Sequence, residues 1–259
     1  NFINCIHNHK TILMKKLVPL LFLLCFSISF SQKDMPVGLH YVTVKNENAE
    51  KLIELETNYF SKLHKYAIDQ GMKIAWDMWR VENDSDPQHT TFVYAHLMTS
   101  IEGPTVNWEG QNIFPQSELA MVGDQWWSLV EKMNFVMTTY KGGFAPISDK
   151  PVKYLQLSHM NVDPTRHYDY EKMELNDFMP SHKSNPYLKG WALHRIVSPH
   201  NEKENDYITA NFFESMSDIY KSNNEVSYLS KQQKSSYQKI LNVREMTKVE
   251  ILSLVLSER

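Results

Sequence analysis

Two stretches decide how this sequence folds: IAWDMWRV at residues 74–81 and KGWALHRI at residues 189–196. Each places an arginine four residues after a tryptophan. Trp76 and Trp191 are separated by 115 positions (191 − 76 = 115). A motif that recurs at a fixed spacing predicts an internal duplication, and the rest of the chain tests it.

When the same offset is applied to the rest of the chain without gaps, it aligns the residues that begin and end helices and the segments that resemble strands. Asn48 falls on Asp163, and both are favoured N-cap residues. Gly71 falls on Pro186, two different ways of ending a helix. The strand-like segments that also coincide are 41–44 with 156–159 and 92–97 with 207–212. We therefore expect two copies of one unit.

Each unit reads as strand, helix, strand, strand, helix, strand. In the first unit the predicted elements are a helix at 49–70, a hairpin turn at 83–87, a second helix with its apolar face from Leu119 to Met133, and a strand at 135–140. In the second unit they include a helix at 231–246 and a closing strand at 249–256, and Gly142-Gly143 reads as a turn between units. This β-α-β-β-α-β order predicts an α+β protein of two tandem ferredoxin-like repeats, at residues 34–150 and 151–259.

Two such units, joined sheet to sheet, resemble the dimeric α/β-barrel superfamily in a tandem-duplicated form. The resemblance covers about residues 39–256 and rests on element order and duplication. It implies a monomer whose antiparallel sheets pack as an intrachain barrel with pseudo-twofold symmetry. It also implies a range of activities, from antibiotic-biosynthesis-type monooxygenases and muconolactone-isomerase-like proteins to haem-dependent relatives such as chlorite dismutases.

The amino-terminal segment has the pattern of a secretory leader. Two lysines follow Met14, an apolar run covers residues 17–30, and small residues precede a cleavage point after Ser31. We expect residues 14–31 to be a signal peptide, residues 1–13 to be upstream translation, and the protein to be exported to the periplasm or the extracellular space. The apolar run is too short for a retained transmembrane segment.

The composition of the sequence excludes further classes of function. Both cysteines, Cys5 and Cys25, precede the cleavage point, so residues 32–259 contain no disulfide or thiolate chemistry. A net charge of −3 without long basic runs argues against nucleic acid as the main partner. Phosphate-binding glycine loops and the zinc-protease and hydrolase motifs are absent from the sequence.

Strand alternation divides the sheet residues into two faces. Apolar consistency predicts that Val42, Val44, Val93, Ala95, Leu97, Leu155, Leu157, Ile208, Ala210 and Phe212 meet the helices, as do Trp76, Met78, Trp191 and Leu193. The opposite face then lines the barrel interior and mixes aromatic with hydrogen-bonding groups, which is typical of a ligand pocket.

The inward face supplies the candidate site residues. His96 and His194 are candidate proton carriers with Tyr94 as hydrogen-bond donor, because imidazole titrates near neutrality. The alternative is that each histidine is a hydrogen-bonded core residue. The predicted ligand-binding residues are Tyr41, Asp77, Trp79, Tyr154, Gln156, Tyr207, Thr209 and Asn211.

Other polar residues have structural explanations. Arg80 and Arg195 can bind a carboxylate or tie a strand end to a helix. No metal site is predicted: His159, Asp163, His167 and Glu171 lie four apart, but only His167 and Glu171 surely share a helix face, and a closed site needs more ligands.

Three functions follow as hypotheses. The first is an exported barrel that binds a small apolar or aromatic molecule between its sheets, with monooxygenase- or isomerase-like activity. The second is a non-catalytic cell-envelope module that docks through Trp126 or Trp127. The third is a haem-binding barrel with a histidine ligand. The leading interpretation includes no cofactor.

Overall fold

The structure is a computed structural model that describes residues 34–101, 113–144, 151–199, 204–224 and 242–259, together with residues 230–232, 235 and 239. The expected leader, at residues 1–13 and 14–31, lies outside the described residues. The strands are β1 (Pro36–Lys45), β2 (Lys73–Val81), β3 (His89–Met98), β4 (Val130–Gly143), β5 (Tyr154–Val162), β6 (Gly190–Ser198), β7 (Tyr207–Phe213) and β8 (Arg244–Glu258).

The helices lie between the strands, and one of them, at residues 216–224, was not predicted. They are α1 (Ala49–Leu55), α2 (Ser61–Asp69), α3 (Gln116–Leu129), α4 (His167–Met173), α5 (Met179–Ser184) and α6 (Met216–Asn224). A π-helical turn joins α1 to α2 at Glu56–Phe60, and another joins α4 to α5 at Glu174–Phe178. Gly71, with a positive φ of 70°, ends the first helical segment as predicted.

The strands close into one barrel in the order β1-β3-β2-β8-β5-β7-β6-β4. β4-β1-β3-β2 is the antiparallel sheet of the first ferredoxin-like repeat, and β8-β5-β7-β6 is that of the second. The sheets join where β4 pairs with β6 and where β8 pairs with β2. The predicted α+β fold and its intrachain barrel are confirmed.

The spacing between the repeats is not constant. Glu56 and Glu174 begin the two π-helical turns, which gives an offset of 118 (174 − 56 = 118) in the first strand and helix of each repeat. Trp76 and Trp191 keep the offset of 115 in the following hairpin. The ungapped alignment is therefore wrong for β1 and β5, where Tyr41 corresponds to His159.

The offset error reverses the facing of β5, because a shift of three residues moves every strand side chain to the other side. On β3 and β7, where the offset of 115 holds, the facing was misassigned because both faces carry apolar residues. The barrel interior holds small and aliphatic side chains: Val37, Leu39, Val93, Ala95, Leu155, Leu157, Ala192, Ile196, Ile208, Ala210 and Leu252, with Trp79. The prediction that β3, β5 and β7 turn these residues toward the helices is wrong.

The helices instead cover the larger side chains. Phe92 and Tyr94 pack with Leu52 beneath the first helical layer, and Tyr207 packs with Tyr170 beneath the second. An eight-stranded barrel has an interior just wide enough for side chains to fill, so small and aliphatic residues suit it and aromatic residues suit the helix-covered faces. The placement of Val42, Val44, Trp76, Met78, Trp191 and Leu193 against the helices is confirmed.

Several predicted boundaries move. Val130 and Met133 belong to β4 rather than to the preceding helix, and Arg244 already begins β8, so the helix predicted at 231–246 does not extend to its predicted end. Asp163 caps its helical turn by accepting a hydrogen bond from the Thr165 amide at 2.8 Å. Asn48 makes no such side-chain cap.

Gly142 and Gly143 lie inside β4 rather than in a turn. Gly142 has a positive φ of 157°. A Cβ on Gly143 would lie 2.1 Å from the Trp191 carbonyl oxygen, so the seam between β4 and β6 requires glycine there. Among the described residues, no helix is long and apolar enough to cross a membrane.

Candidate functional site at the barrel mouth

A cavity of about 540 Å³ opens at one end of the barrel. Both repeats contribute to it: its walls include Tyr41 and Val136 from the first repeat and His159, Ile196, Ile208 and Glu250 from the second. Asn83, Asp84, Lys132, Asn134 and Lys248 also line it. Polar side chains outnumber apolar ones in its lining, and Val136, Ile196 and Ile208 supply part of the apolar wall. A concave site that combines apolar walls with placed polar groups can hold a small molecule.

Glu250 is the centre of the polar network in this cavity. Its Oε2 accepts hydrogen bonds from the Tyr41 hydroxyl at 2.9 Å and from His159 Nε2 at 2.6 Å. Its Oε1 accepts from Lys248 Nζ at 2.6 Å. Glu250 itself is only 2% exposed. A buried carboxylate requires such partners, and here three donors converge on it.

The electrostatics fix the protonation of the network. Burial acts to raise the pKa of Glu250, but the hydrogen bond and positive charge of His159, together with Lys248, outweigh it and lower the pKa to about 2. Burial, and then the negative charge of Glu250, raise the pKa of the Tyr41 hydroxyl well above its ordinary value. Near neutral pH, Glu250 is therefore an anion and Tyr41 a hydrogen-bond donor.

The pairing with Glu250 also orients His159. A carboxylate that accepts from Nε2 holds the proton on that nitrogen, so whenever the ring is neutral Nδ1 is its basic nitrogen. Among the described residues, Nδ1 of His159 has no hydrogen-bond partner. A carboxylate behind an imidazole that lines a cavity is the arrangement of a general base.

The structure brings only one predicted site residue into this network, Tyr41. Trp79 is buried in the barrel interior. Asp77, four residues before the cavity residue Val81 on β2, forms an ion pair with Arg259 Nη1 at 2.7 Å. His194 does point inward as predicted, but it packs against the Tyr140 ring at 5.7 Å and does not line the cavity. Burial lowers the pKa of His194 to about 4.

Tyr94 and His96 lie on the helix-covered face of the first repeat, so the prediction that they line the barrel is wrong. The Tyr94 hydroxyl donates to Glu56 Oε1 at 3.0 Å, and Trp126 Nε1 donates to the same oxygen at 2.7 Å. His96 Nδ1 lies 3.0 Å from Lys73 Nζ. These residues form a second polar cluster, separate from the mouth.

The predicted ligand residues of the second repeat also face its helices. Tyr207 donates to Glu171 Oε1 at 3.0 Å, and Gln156 accepts from Asn223 of α6 at 3.2 Å. Tyr154 packs with the helix-covered core. Thr209 and Asn211 share the face of Tyr207 by alternation along β7. The prediction that these five residues line the barrel is wrong. The offset error accounts for Tyr154 and Gln156 on β5, and the misassigned facing of β7 accounts for the other three.

The two arginines, His159 and His167 each have partners within the protein. Arg80 binds Glu50 of α1 at 3.0 Å, and Arg195 lies 3.8 Å from Glu171 of α4, so both tie a strand to a helix. His159 is engaged by Glu250, and His167 Nδ1 lies 3.0 Å from the Tyr207 hydroxyl. Within the described part of the chain, no group of three or more histidine, cysteine or acidic side chains is placed to hold a metal ion.

Sequence reasoning missed Glu250 and Lys248. Both lie in the alternating stretch KVEIL at residues 248–252, where charges normally mark a solvent-facing side. The one available signal was His159, at the end of the half-buried strand predicted at 156–159. A buried histidine requires a partner, and a neighbouring strand is where that partner is found.

Solved structures share this architecture. A candidate monooxygenase from Fusobacterium nucleatum superposes with a TM-score of 0.61 at 10% identity, covering 88% of this chain and 95% of that chain. The chain has the dimeric α/β-barrel fold.

Two other structures with this fold are similar to the same extent. A candidate monooxygenase from Lactobacillus acidophilus NCFM gives a TM-score of 0.57 at 8% identity over 87% of this chain and 96% of its own. An anthrone oxidase-like protein gives 0.54 at 12% identity over 88% and 94%. No protein-family model and no curated protein matches the sequence.

Proposed function

We propose that the protein binds a small, partly apolar molecule in the barrel mouth and removes a proton from it, with His159 as the base. The observation that carries the proposal is the Glu250–His159 hydrogen bond of 2.6 Å in the wall of a cavity of about 540 Å³. The monooxygenase and oxidase-like descriptions of the structural neighbours are compatible with it, since deprotonation produces the electron-rich anion that such reactions oxidise and that isomerases reprotonate.

In this mechanism the residues of the mouth have distinct roles. His159 Nδ1 accepts the proton, and the anionic Glu250 stabilises the imidazolium that forms. Tyr41 and Lys248 hold Glu250 in place through their own hydrogen bonds. Ile196 and Ile208 give the apolar wall against which an aromatic or aliphatic part of the ligand packs.

The test uses phenylpyruvate, an aromatic compound with an exchangeable C–H bond, in D2O with proton NMR detection. The native protein is expected to accelerate deuterium exchange above buffer, and Glu250→Gln and His159→Asn are each expected to lower the accelerated rate by about 10²-fold or more. His194→Asn, which changes a barrel histidine outside the cavity, is the matched control and is expected to keep the rate. Exchange at the native rate in Glu250→Gln contradicts the mechanism.

Haem binding is tested on the same residues. Among the described histidines, His159 lines the cavity, whereas His96 contacts Lys73 and His194 is packed against Tyr140. A haem in the mouth would therefore use His159. Haemin added to the native protein then shifts the Soret band, and His159→Asn abolishes that shift, whereas an unshifted spectrum excludes this alternative.

A surface-docking role has one supporting observation. On α3, Trp127 is 59% and Met121 53% exposed, while Trp126 turns inward to Glu56. Exposed tryptophan is enriched at interaction sites. If docking rather than chemistry is the function, Trp127→Lys removes it and leaves phenylpyruvate exchange untouched.

We also propose that the protein is exported after removal of residues 14–31, on the strength of the leader pattern alone. Expression with the native leader is expected to yield a mature chain that begins at Gln32 in the periplasm or medium. Intact mass and amino-terminal sequencing check the cleavage point. A chain that retains residues 14–31 in the cytoplasm contradicts this proposal.

A further inference from the structure

The helix-covered face of the first repeat contains a lysine between two histidines. Lys73, the first residue of β2, places Nζ 2.9 Å from His64 Nδ1 and 3.0 Å from His96 Nδ1. His64 comes from α2 and His96 from β3, so helix and sheet hold the amine from two sides. The ammonium form of lysine donates and cannot accept, so in that form both Nδ1 atoms accept from it and both rings are neutral with their protons on Nε2.

The surroundings act against charge on every member of this cluster. Burial lowers the pKa of Lys73 to about 8. Burial, and then the charge of Lys73, hold the pKa of both His64 and His96 well below the ordinary value. A lysine in such a place is a neutral amine for an appreciable fraction of the time, while an ordinary lysine with a pKa of about 10.4 is almost entirely protonated.

A donor without an acceptor adjoins the cluster. His64 stacks on the Trp76 indole with ring centroids 4.6 Å apart, and Trp76 is fully buried. Its Nε1 has no hydrogen-bond acceptor within the described part of the chain. A buried N–H without a partner is uncommon in native proteins, and an oxygen of a bound molecule is one way to satisfy it.

We propose that Lys73 is a reactive amine that forms a Schiff base with a small carbonyl compound carrying a second oxygen. The neutral Lys73 nitrogen adds to the carbonyl carbon, and one of its two N–H protons passes through an imidazole Nδ1 to the oxygen, which gives a carbinolamine. The second N–H proton passes to the hydroxyl by the same route, and the hydroxyl leaves as water as the C=N bond forms. No oxidant or reductant is consumed, and His64 and His96 supply the proton acceptors.

Glycolaldehyde, trapped with cyanoborohydride, is a suitable probe because the hydride converts the reversible imine into a stable amine. Peptide mass spectrometry of the native protein then compares lysines within one sample. The matched controls are Lys65, ion-paired with Asp69, and Lys248, bound to Glu250 at 2.6 Å. At pH 7.5 Lys73 is expected to react about tenfold or more faster than either control.

Variants separate the amine from its neighbours. Lys73→Arg is expected to remove the modification at this position alone. His96→Asn copies Asn211, the residue at the corresponding place in the second repeat, and is expected to slow the reaction of Lys73 several-fold while Lys65 and Lys248 are unchanged. Because the lysine comparison uses the native chain, the proposal does not depend on the variants folding.

Two results overturn the inference. If Lys73 reacts no faster than Lys65 in the native protein, it is not a reactive amine. If His96→Asn leaves the rate unchanged, His96 is not a proton acceptor for the reaction. Neither result bears on the barrel mouth, since phenylpyruvate exchange is measured without trapping and depends on His159.

Discussion

The helix-covered faces of the two repeats are built on the same frame and differ in what fills it. In both, a buried glutamate begins the π-helical turn, and a histidine from the next helix stacks on the central tryptophan: Glu56, His64 and Trp76 in the first repeat, Glu174, His182 and Trp191 in the second. The ring centroids of the stacked pairs lie 4.6 Å and 5.0 Å apart.

The differences fall on polar residues that only one repeat has. In the first repeat, Lys73 and His96 lie beside the stacked pair. In the second repeat, the position that corresponds to His96 is occupied by Asn211. At the barrel mouth the relation is reversed, because β8 of the second repeat carries Glu250 where β4 of the first carries Val136. The shared residues maintain the scaffold, and the residues that break the symmetry supply the chemistry.

Replacing either central tryptophan is expected to destabilise the protein by a similar amount. Trp76 and Trp191 are both fully buried, so Trp76→Ala and Trp191→Ala are each expected to lower the free energy of unfolding by about 3–5 kcal/mol. Urea unfolding followed by circular dichroism measures both. A large loss of unfolding free energy in only one variant would show that the two helix-covered faces do not contribute equally to stability.

The pH dependence of stability gives a second comparison of the two repeats, through their buried glutamates. Burial raises the pKa of Glu56 and of Glu174 to about 7, although neighbouring donors oppose it. The folded state then keeps protons that the unfolded chain loses, so the contribution of these two carboxyls to stability is greatest below about pH 4.5 and falls until about pH 7, by on the order of 3 kcal/mol for each buried carboxyl.

Glu56→Gln and Glu174→Gln are expected to remove equal parts of this slope, as measured by urea midpoints from pH 4 to pH 8. Glu250 has the opposite sign, since its pKa is lowered to about 2. Its stabilisation is present above the ordinary glutamate pKa and is lost as the pH falls toward 2. A slope between pH 4.5 and 7 that survives in the double variant contradicts the shared role of the two glutamates.

At the mouth, a smaller effect tests the asymmetry. Tyr41 and His159 occupy corresponding positions, and both donate to Glu250. Tyr41→Phe removes one hydrogen bond to a charged group and is expected to cost about 1–2 kcal/mol of unfolding free energy at pH 7. Because the carboxylate is protonated near pH 2, the difference from the native protein should shrink there.

The smallest effect is expected at the surface of α3. Trp127 is 59% exposed and has no counterpart in the shared frame, so Trp127→Lys is expected to change the unfolding free energy by less than about 0.5 kcal/mol. Trp126→Phe, which removes a hydrogen bond to buried Glu56, is the contrasting change and should cost more. Equal losses in the two variants would contradict the division between core and surface.

The fold was predictable because its signals are local. Helix caps, turn clusters and the repeated tryptophan motif each depend on a few neighbouring residues, and their order defines two ferredoxin-like units. The facing of β3 was not predictable from the sequence. One of its faces carries Phe92 and Tyr94 and the other carries Val93 and Ala95, so either face could be the buried one. Only the width of the barrel interior decides between them.

The mouth depends on contacts that no local pattern contains. Tyr41 and Glu250 are 209 positions apart, and Glu250 becomes a buried anion only when β8 lies beside β5. Within the described residues, the offset of 118 is visible through the matching π-helical turns, whereas the tryptophans alone give 115. A three-residue difference is enough to exchange the inner and outer faces of a strand.

The seam between β2 and β8 also has a consequence for how the chain acquires its structure. Trp76 pairs with Glu258, which lies 182 positions later in the sequence (258 − 76 = 182), so the barrel closes only after the segment between them has been synthesised. Contacts between such distant residues form slowly, because a long loop must be ordered first. Until β8 pairs with β2, one edge of β2 has no strand partner. The chain is therefore most prone to aggregation before the barrel closes.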